Sequence, residues 1–339
     1  MTPRRIMVTG VGRPMIARFA RRLAARDDVE LVVGVDAVGP PRPGKAEFLR
    51  ADLDNPVVGA ALVDRGIDTL VHAGVHSQSR VAGGRRRLKE HNVIGTMHLL
   101  AVAQHAPDLQ TVILKSSTAV YGSSAEDPAH FTERHPSDRH ARGFGRDMVD
   151  VEGYAVGLAR RRDDLDVMTF RFANFIGGAD DAALAGFFRL PVVPSVLGWD
   201  PRLQFCHADD AVAVLTQAVF EPRRGTFNVA GPGTLYLSQA IRRAGRGHAL
   251  VPGPLVEATA SLLVRAGRVD VPIDQLSFLR FGRVVDVTKL VEQFGYVPRW
   301  TTTEAFDAFL AARASRGLGR QDLLALGTEV RERLRRPVA

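Results

Sequence analysis

The chain has 339 residues, 45% hydrophobic and 24% charged, which excludes a disordered chain and allows a large buried core in one big domain or two. A single cysteine, Cys206, excludes an intrachain disulfide, argues against a structural zinc site and fits a reducing compartment. The formal charge of +8 raises nucleic acid as a partner, but the basic runs at 85–87, 160–162 and 335–336 are scattered beside predicted helices without an aromatic platform. They read as solvated helix faces, and no nucleic acid is expected.

The amino-terminal residues Met1–Arg5 run directly into the apolar Ile6–Val8, which leaves no room for a signal peptide. No later stretch approaches the roughly 20 apolar residues of a membrane span, so no span and a cytoplasmic location are expected. Apolar, β-branched runs at Arg5–Val8, Glu30–Val35, Thr69–Ala73 and Thr111–Leu114 read as buried strands, with a short strand near Phe48–Leu49. Helical patterns at Met15–Ala25, Pro56–Arg65 and Lys89–Gln104 lie between them. A further helix, Arg146–Arg161, leads to the strand Asp166–Phe172. Strands without in/out alternation, separated by helices, predict an α/β fold with a doubly wound parallel sheet of Rossmann type.

After Gly177–Gly178 the pattern breaks into Pro- and Gly-punctuated stretches, which reads as a smaller, partly discontinuous carboxy-terminal lobe. The expected division is 1–176 plus about 204–232 for the nucleotide-binding domain, 177–203 plus 233–312 for the lobe, and 313–339 for a helical tail. The tail carries an amphipathic pattern in Leu323–Leu334 and no chemical motif.

Between the first strand and helix stands Thr9-Gly10-Val11-Gly12-Arg13-Pro14-Met15-Ile16. Glycines in such a turn let the backbone approach a pyrophosphate, and the helix amino terminus donates N–H groups to the anion. The set is incomplete. Read as G-x-G-x-x-G, Met15 replaces the third glycine; read as T-G-x-x-G-x-x-G, Arg13 and Ile16 replace the second and third. Arg13 either supplies a charge to the pyrophosphate or blocks it. Asp36 closes the second strand, where a carboxylate accepts from ribose hydroxyls and repels a 2′-phosphate, favouring NAD over NADP. Asp52, before Leu53, follows the short third strand at a position that reads adenine. Either aspartate alone is equally a cap or turn residue; their joint placement after successive strands supports the binding reading.

Further along come Asp68–His72 with Ala73-Gly74, Asn92–Thr96, Ser116–Gly122, Arg171–Asn174, Phe205–Asp210 and Phe227–Val229. In this order they resemble the extended short-chain dehydrogenase/reductases, the NAD-dependent epimerase/dehydratase family, and most closely an actinobacterial branch similar to UDP-glucose 4-epimerases. The resemblance covers roughly Arg5 to Leu310. It implies a cofactor set of Gly10, Gly12, Arg13, Met15, Asp36, Asp52, Leu53, Ala73, Gly74 and Asn92. In the family a Ser or Thr and a Tyr hydrogen-bond the sugar hydroxyl, and a Lys four residues after the Tyr lowers its pKa. Ser117 matches the Ser/Thr position. The Tyr-x-x-x-Lys register falls on Phe144 and Met148, with Glu152 as the trailing acid, so base and cation are lost together.

No other tyrosine is followed four residues on by lysine, and Tyr154 lies about 15 Å along the same helix. His76 and His140 have a side chain suited to acid/base work, but both sit in polar loop segments where a histidine is ordinarily solvated. The substrate-side residues implied are His76, Thr118, Asn174 and Arg202, with Arg283 as another partner for a diphosphate. The ligand implied is a nucleotide sugar such as a UDP-hexose. Two functions follow: an NAD-binding, catalytically altered protein of nucleotide-sugar epimerase type, or an active epimerase or oxidoreductase using Ser117 and a non-standard base. Dimerisation through a two-helix face, common in this family, points to Lys89–Gln104 and Arg146–Arg161 as a homodimer surface.

Overall fold

The computed structural model describes residues 3–42, 44–77, 84–137, 140–177, 184, 186–265 and 276–315. Gly178 and Leu323–Leu334 lie outside them. The first half runs β1 (Arg4–Thr9), α1 (Pro14–Leu23), β2 (Val29–Asp36), β3 (Glu47–Arg50), α2 (Pro56–Asp64), β4 (Thr69–His72), α3 (Arg85–Lys89), α4 (Thr96–Ala103), β5 (Thr111–Ser117), α5 (Phe144–Arg161) and β6 (Asp166–Phe172). There follow β7 (Asn174–Ile176), β8 (Val192–Val196), β9 (Arg202–Leu203), β10 (Phe205–His207), α6 (Ala208–Phe220), β11 (Gly225–Val229), β12 (Leu235–Tyr236), α7 (Leu237–Arg243) and β13 (Gly247–Val251). The last three described helices are α8 (Val256–Arg265), α9 (Leu276–Phe281) and α10 (Thr302–Ser315).

Seven strands form one sheet in the order β3-β2-β1-β4-β5-β6-β11, each paired parallel to its neighbours. The expected doubly wound sheet is therefore present. Its strands are apolar without alternation because helices cover both faces; every residue of β4 is buried. Strand order reverses between β1 and β4, so their carboxyl ends open a crevice, the place where such sheets bind ligands.

Two sequence readings need adjustment. The single helix expected over 89–104 is α3, a π turn at Glu90–Gly95 and α4 in unbroken succession. The wide turn coincides with Asn92, whose side chain is engaged by the loop after β4, and with Gly95, where a Cβ would stand 2.9 Å from Leu53 Cβ. The helix expected from Arg146 begins two residues earlier, at Phe144, because Gly143 turns the chain at φ 51°. Beyond the sheet, a second buried cluster gathers Ile176, Phe188, Leu203, Phe205, Leu237 and Phe306, apart from the main core. Among the described residues no helix is long and apolar enough to cross a membrane.

Two buried polar networks fix the sheet's upper edge. Thr9 Oγ1 accepts from the amides of Ala73 (3.1 Å) and Gly74 (3.0 Å), so its own proton goes to His72 Nδ1 at 2.8 Å. That leaves His72 Nε2–H to donate to Thr96 Oγ1 (2.7 Å), which donates to the Asn92 carbonyl (2.5 Å). In the second network, the Glu152 carboxylate on α5 meets the Arg171 guanidinium of β6 at 2.6 Å and accepts from Ser116 Oγ at 2.5 Å. Arg171 Nη1 also donates to the Tyr121 hydroxyl (2.8 Å), which donates to Asn228 Oδ1 on β11 (2.8 Å).

Removing one member of a buried ion pair strands the other, so Glu152→Ala is expected to cost about 3–5 kcal/mol of unfolding free energy in urea titrations. His72 supplies a second test. Burial holds its imidazole at about 3 against an ordinary 6.5, so between those values the unfolded chain binds a proton that the folded chain refuses. His72's contribution is therefore complete above pH 6.5 and is lost as pH falls, at about 1.4 kcal/mol per pH unit. Urea titrations from pH 7 to 5 should show stability falling with pH, with more than one depressed histidine contributing, and His72→Gln should reduce the slope between pH 6 and 5 by close to that amount.

Candidate active site

The loop from β1 to α1 meets the loop after β4 across the crevice. Gly10 has φ +85°, and a Cβ on it would stand 2.8 Å from both the Ala73 oxygen and Gly74 Cα, so only glycine fits. The Gly12 amide donates to Asp36 Oδ2 (3.0 Å), and the Val38 amide donates to Asp36 Oδ1 (3.0 Å). Asp36 thus shapes the glycine loop. Each carboxylate oxygen keeps a second lone pair for a ribose hydroxyl. Asp52 is exposed just past β3 and Leu53 is buried beside it.

The start of α1 departs furthest from a pyrophosphate seat. Arg13 is its N-cap, and its Nη2 donates to His76 Nδ1 at 2.6 Å. Pro14 occupies the first helical position and has no N–H, so of the first three helical residues only Met15 and Ile16 can donate. The side chains of both are buried in the core. Burial, then the Arg13 charge, lowers the His76 imidazole to about 2, which removes it as a base near neutrality. Asn92 accepts from the His76 amide and donates to the His76 carbonyl, both at 2.8 Å. Its amide holds the loop.

At the other end of the crevice, Ser117 Oγ accepts from the Ala119 amide (3.2 Å), capping the 3₁₀ turn Thr118–Tyr121 and leaving its proton to donate elsewhere. Thr118 is buried in that turn. The first turn of α5 presses on it so closely that a Cβ on Gly145 would stand 2.4 Å from the Ala119 oxygen. This contact aims Phe144 into a cavity of about 390 Å³ that is also lined by Arg13, Lys115, Ser117, Asn174 and Arg283. Met148 is fully buried one turn along α5. Among the described residues lining the cavity, none is acidic. Arg283 donates to the Gly122 carbonyl (2.7 Å) and Ser123 Oγ (3.2 Å), and burial lowers its guanidinium to about 10. Arg202 instead donates to the Ala129 carbonyl (2.8 Å) and does not line the cavity.

The model of the NAD dependent epimerase/dehydratase family matches residues 6–230, and the chain belongs to that family. It is 42% identical over 317 residues to uncharacterised proteins of Mycobacterium tuberculosis and Mycobacterium bovis, covering 92% of this chain and 84% of theirs. Among solved structures it is similar to UDP-glucose 4-epimerase from Thermotoga maritima with UDP-glucose (TM-score 0.72, 16% identity, 92% of this chain and 99% of that one). It is also similar to MoeE5 in complex with UDP-glucuronic acid and NAD (TM-score 0.70, 20% identity, 92% and 99%). These structural likenesses show the fold.

Two features escaped the sequence reading. Pro14 carried a legible signal, a proline at the first helical position where an anion site needs an amide. Lys115 carried another, a charge inside the buried run Thr111–Leu114 and Ser116. The residues present fit an adenosine and, through Arg13 and two amides, a weakened pyrophosphate seat; they do not fit the family's tyrosine–lysine proton chemistry. Restoring the missing amide with Pro14→Ala is expected to tighten NAD+ binding about tenfold, read by calorimetric titration, since one hydrogen bond to a charged group is worth about 1.5–3 kcal/mol.

Proposed function

We propose that the chain is an NAD-binding, nucleotide-sugar-binding member of its family in which the standard proton relay is lost. The observation that carries this reading is Phe144 facing the cavity on the first turn of α5 with Met148 buried behind it. Neither can take up a proton or carry a charge near a ribose. Gly10, Gly12, Asp36, Asp52, Leu53, Ala73 and Gly74 would hold the adenosine side, with Arg13 and the Met15 amide at the pyrophosphate. Asn92 acts by fixing the loop after β4. The Asp36 carboxylate favours NAD over NADP by repelling a 2′-phosphate. When bound, the nicotinamide would supply hydride chemistry to a sugar carbinol. Ser117 would donate to the sugar hydroxyl, while Asn174 and Arg283 would meet the nucleotide diphosphate. Ile94, Met97 and Val156 expose apolar side chains on the π turn, α4 and α5, which supports this face as the homodimer surface proposed here.

Calorimetric titration with NAD+ and NADP+ tests the binding half: micromolar NAD+ binding, at least tenfold tighter than NADP+, is expected, and no binding of either sinks it. A time course of UDP-glucose epimerisation tests the other half. The wild type should leave the sugar unchanged, and Phe144→Tyr with Met148→Lys should raise turnover at least a hundredfold, within the usual contribution of a positioned base. Inversion by the wild type would instead establish an active enzyme with a non-standard base.

A further inference from the structure

Arg13 caps α1 after β1, and His76 stands in the loop after β4, so the 2.6 Å bond from Arg13 Nη2 to His76 Nδ1 joins the two walls of the crevice. Deeper in, the walls already touch: Thr9 Oγ1 accepts from the Ala73 and Gly74 amides, and Gly10 lies against the same two residues. The cavity reaches this bond from the Ser117 side. Arg13, Met15 and Ile16 line it on one wall and Val75 and Ser77 on the other, whereas Gly12, Asp36 and Asp52 do not line it. The bond therefore stands between the Asp36 side of the crevice and the cavity.

A guanidinium only donates, so His76 Nδ1 is the acceptor and the ring proton sits on Nε2. The imidazole, lowered to about 2, keeps that acceptor at any working pH. The His76 backbone is held separately, since Asn92 bonds its amide and its carbonyl, both at 2.8 Å. Ring and loop can thus be tested apart. In the NAD reading on which this inference rests, the adenosine lies at Asp36 and the nicotinamide points toward Ser117. The pyrophosphate between them then has to pass where Arg13 meets His76. A hydrogen bond to a charged group that is broken on binding subtracts from the affinity, whatever other contacts the guanidinium keeps.

We propose that the Arg13–His76 bond is a closed gate across the crevice, that the pyrophosphate of a dinucleotide must open it, and that the His76 ring is what holds it shut. The test is calorimetric titration of the full-length protein with NAD+ for the wild type, His76→Phe and His76→Asn, with adenosine followed by ligand-observed NMR as the probe that stops short of the gate. His76→Phe, which keeps a ring and loses the acceptor, should bind NAD+ at least tenfold more tightly than the wild type. His76→Asn, which keeps an acceptor, should stay within threefold of the wild type, and adenosine should bind all three alike. In the wild type, which needs no variant to fold, saturation with NAD+ should move the His76 Nδ1 resonance toward that of a ring nitrogen without a donor. A His76→Phe protein that binds NAD+ no more tightly, an equal gain for adenosine, or an unmoved Nδ1 resonance would each overturn the gate and leave the NAD reading standing. Absence of NAD+ binding by wild type and both variants removes both.

Discussion

The ion pair between Glu152 and Arg171 sets the geometry on which the rest of the cavity depends. Both groups are buried, and an isolated charge at either position would cost several kcal/mol, so the pair holds α5 at one register against β5 and β6. Ser116, Tyr121 and Asn228 extend it from β5 through the 3₁₀ turn to β11. Once Glu152 is fixed, helical geometry carries the constraint back along α5: Met148 lies four residues before it and Phe144 eight. Gly145 closes the arrangement by letting the helix touch Ala119. The register of α5 that puts Phe144 on the cavity and buries Met148 behind it is thus fixed by the ion pair and this close contact.

The cofactor loop shows the same division between frame and chemistry. Gly10, Thr9 and His72 preserve a close approach between the loops after β1 and β4, and Asp36 binds the glycine loop through two amides. The helix that should face an anion, however, begins with a proline and a capping arginine committed to His76. In the proposed cofactor site Arg13 would substitute charge for an oriented amide. A guanidinium on a long side chain attracts a pyrophosphate but fixes its position less closely than a backbone N–H does, so the expected effect is weaker and less directional holding.

The sheet was legible in the sequence because its strands are continuous apolar runs and its helices amphipathic, a pattern that burial on both faces imposes. By resemblance, Phe144 and Met148 fall where the family carries its tyrosine and lysine, and in the fold Phe144 lines the cavity with Met148 buried one turn behind it. Asn92 was harder to read: its role against the His76 backbone arises from a π turn that no local periodicity announces. Arg202 and Arg283 read alike in the sequence, each a fork suited to a diphosphate. In the fold the Ala129 carbonyl takes the Arg202 guanidinium, while Arg283 lines the cavity. Long-range pairings of this kind depend on how separate loops fold together, which a one-dimensional pattern does not contain.

Phe144 and Met148 are also informative for what they leave unharmed. A buried lysine on α5 must be compensated by partners or by a bound ribose, whereas Met148 adds apolar contact to the core without a desolvation cost. Phenylalanine fills a tyrosine's volume without a hydroxyl that needs a partner. Both side chains pack in the folded state without the desolvation cost of a charge or an unpaired hydroxyl, and Phe144 gives the cavity an apolar wall on α5.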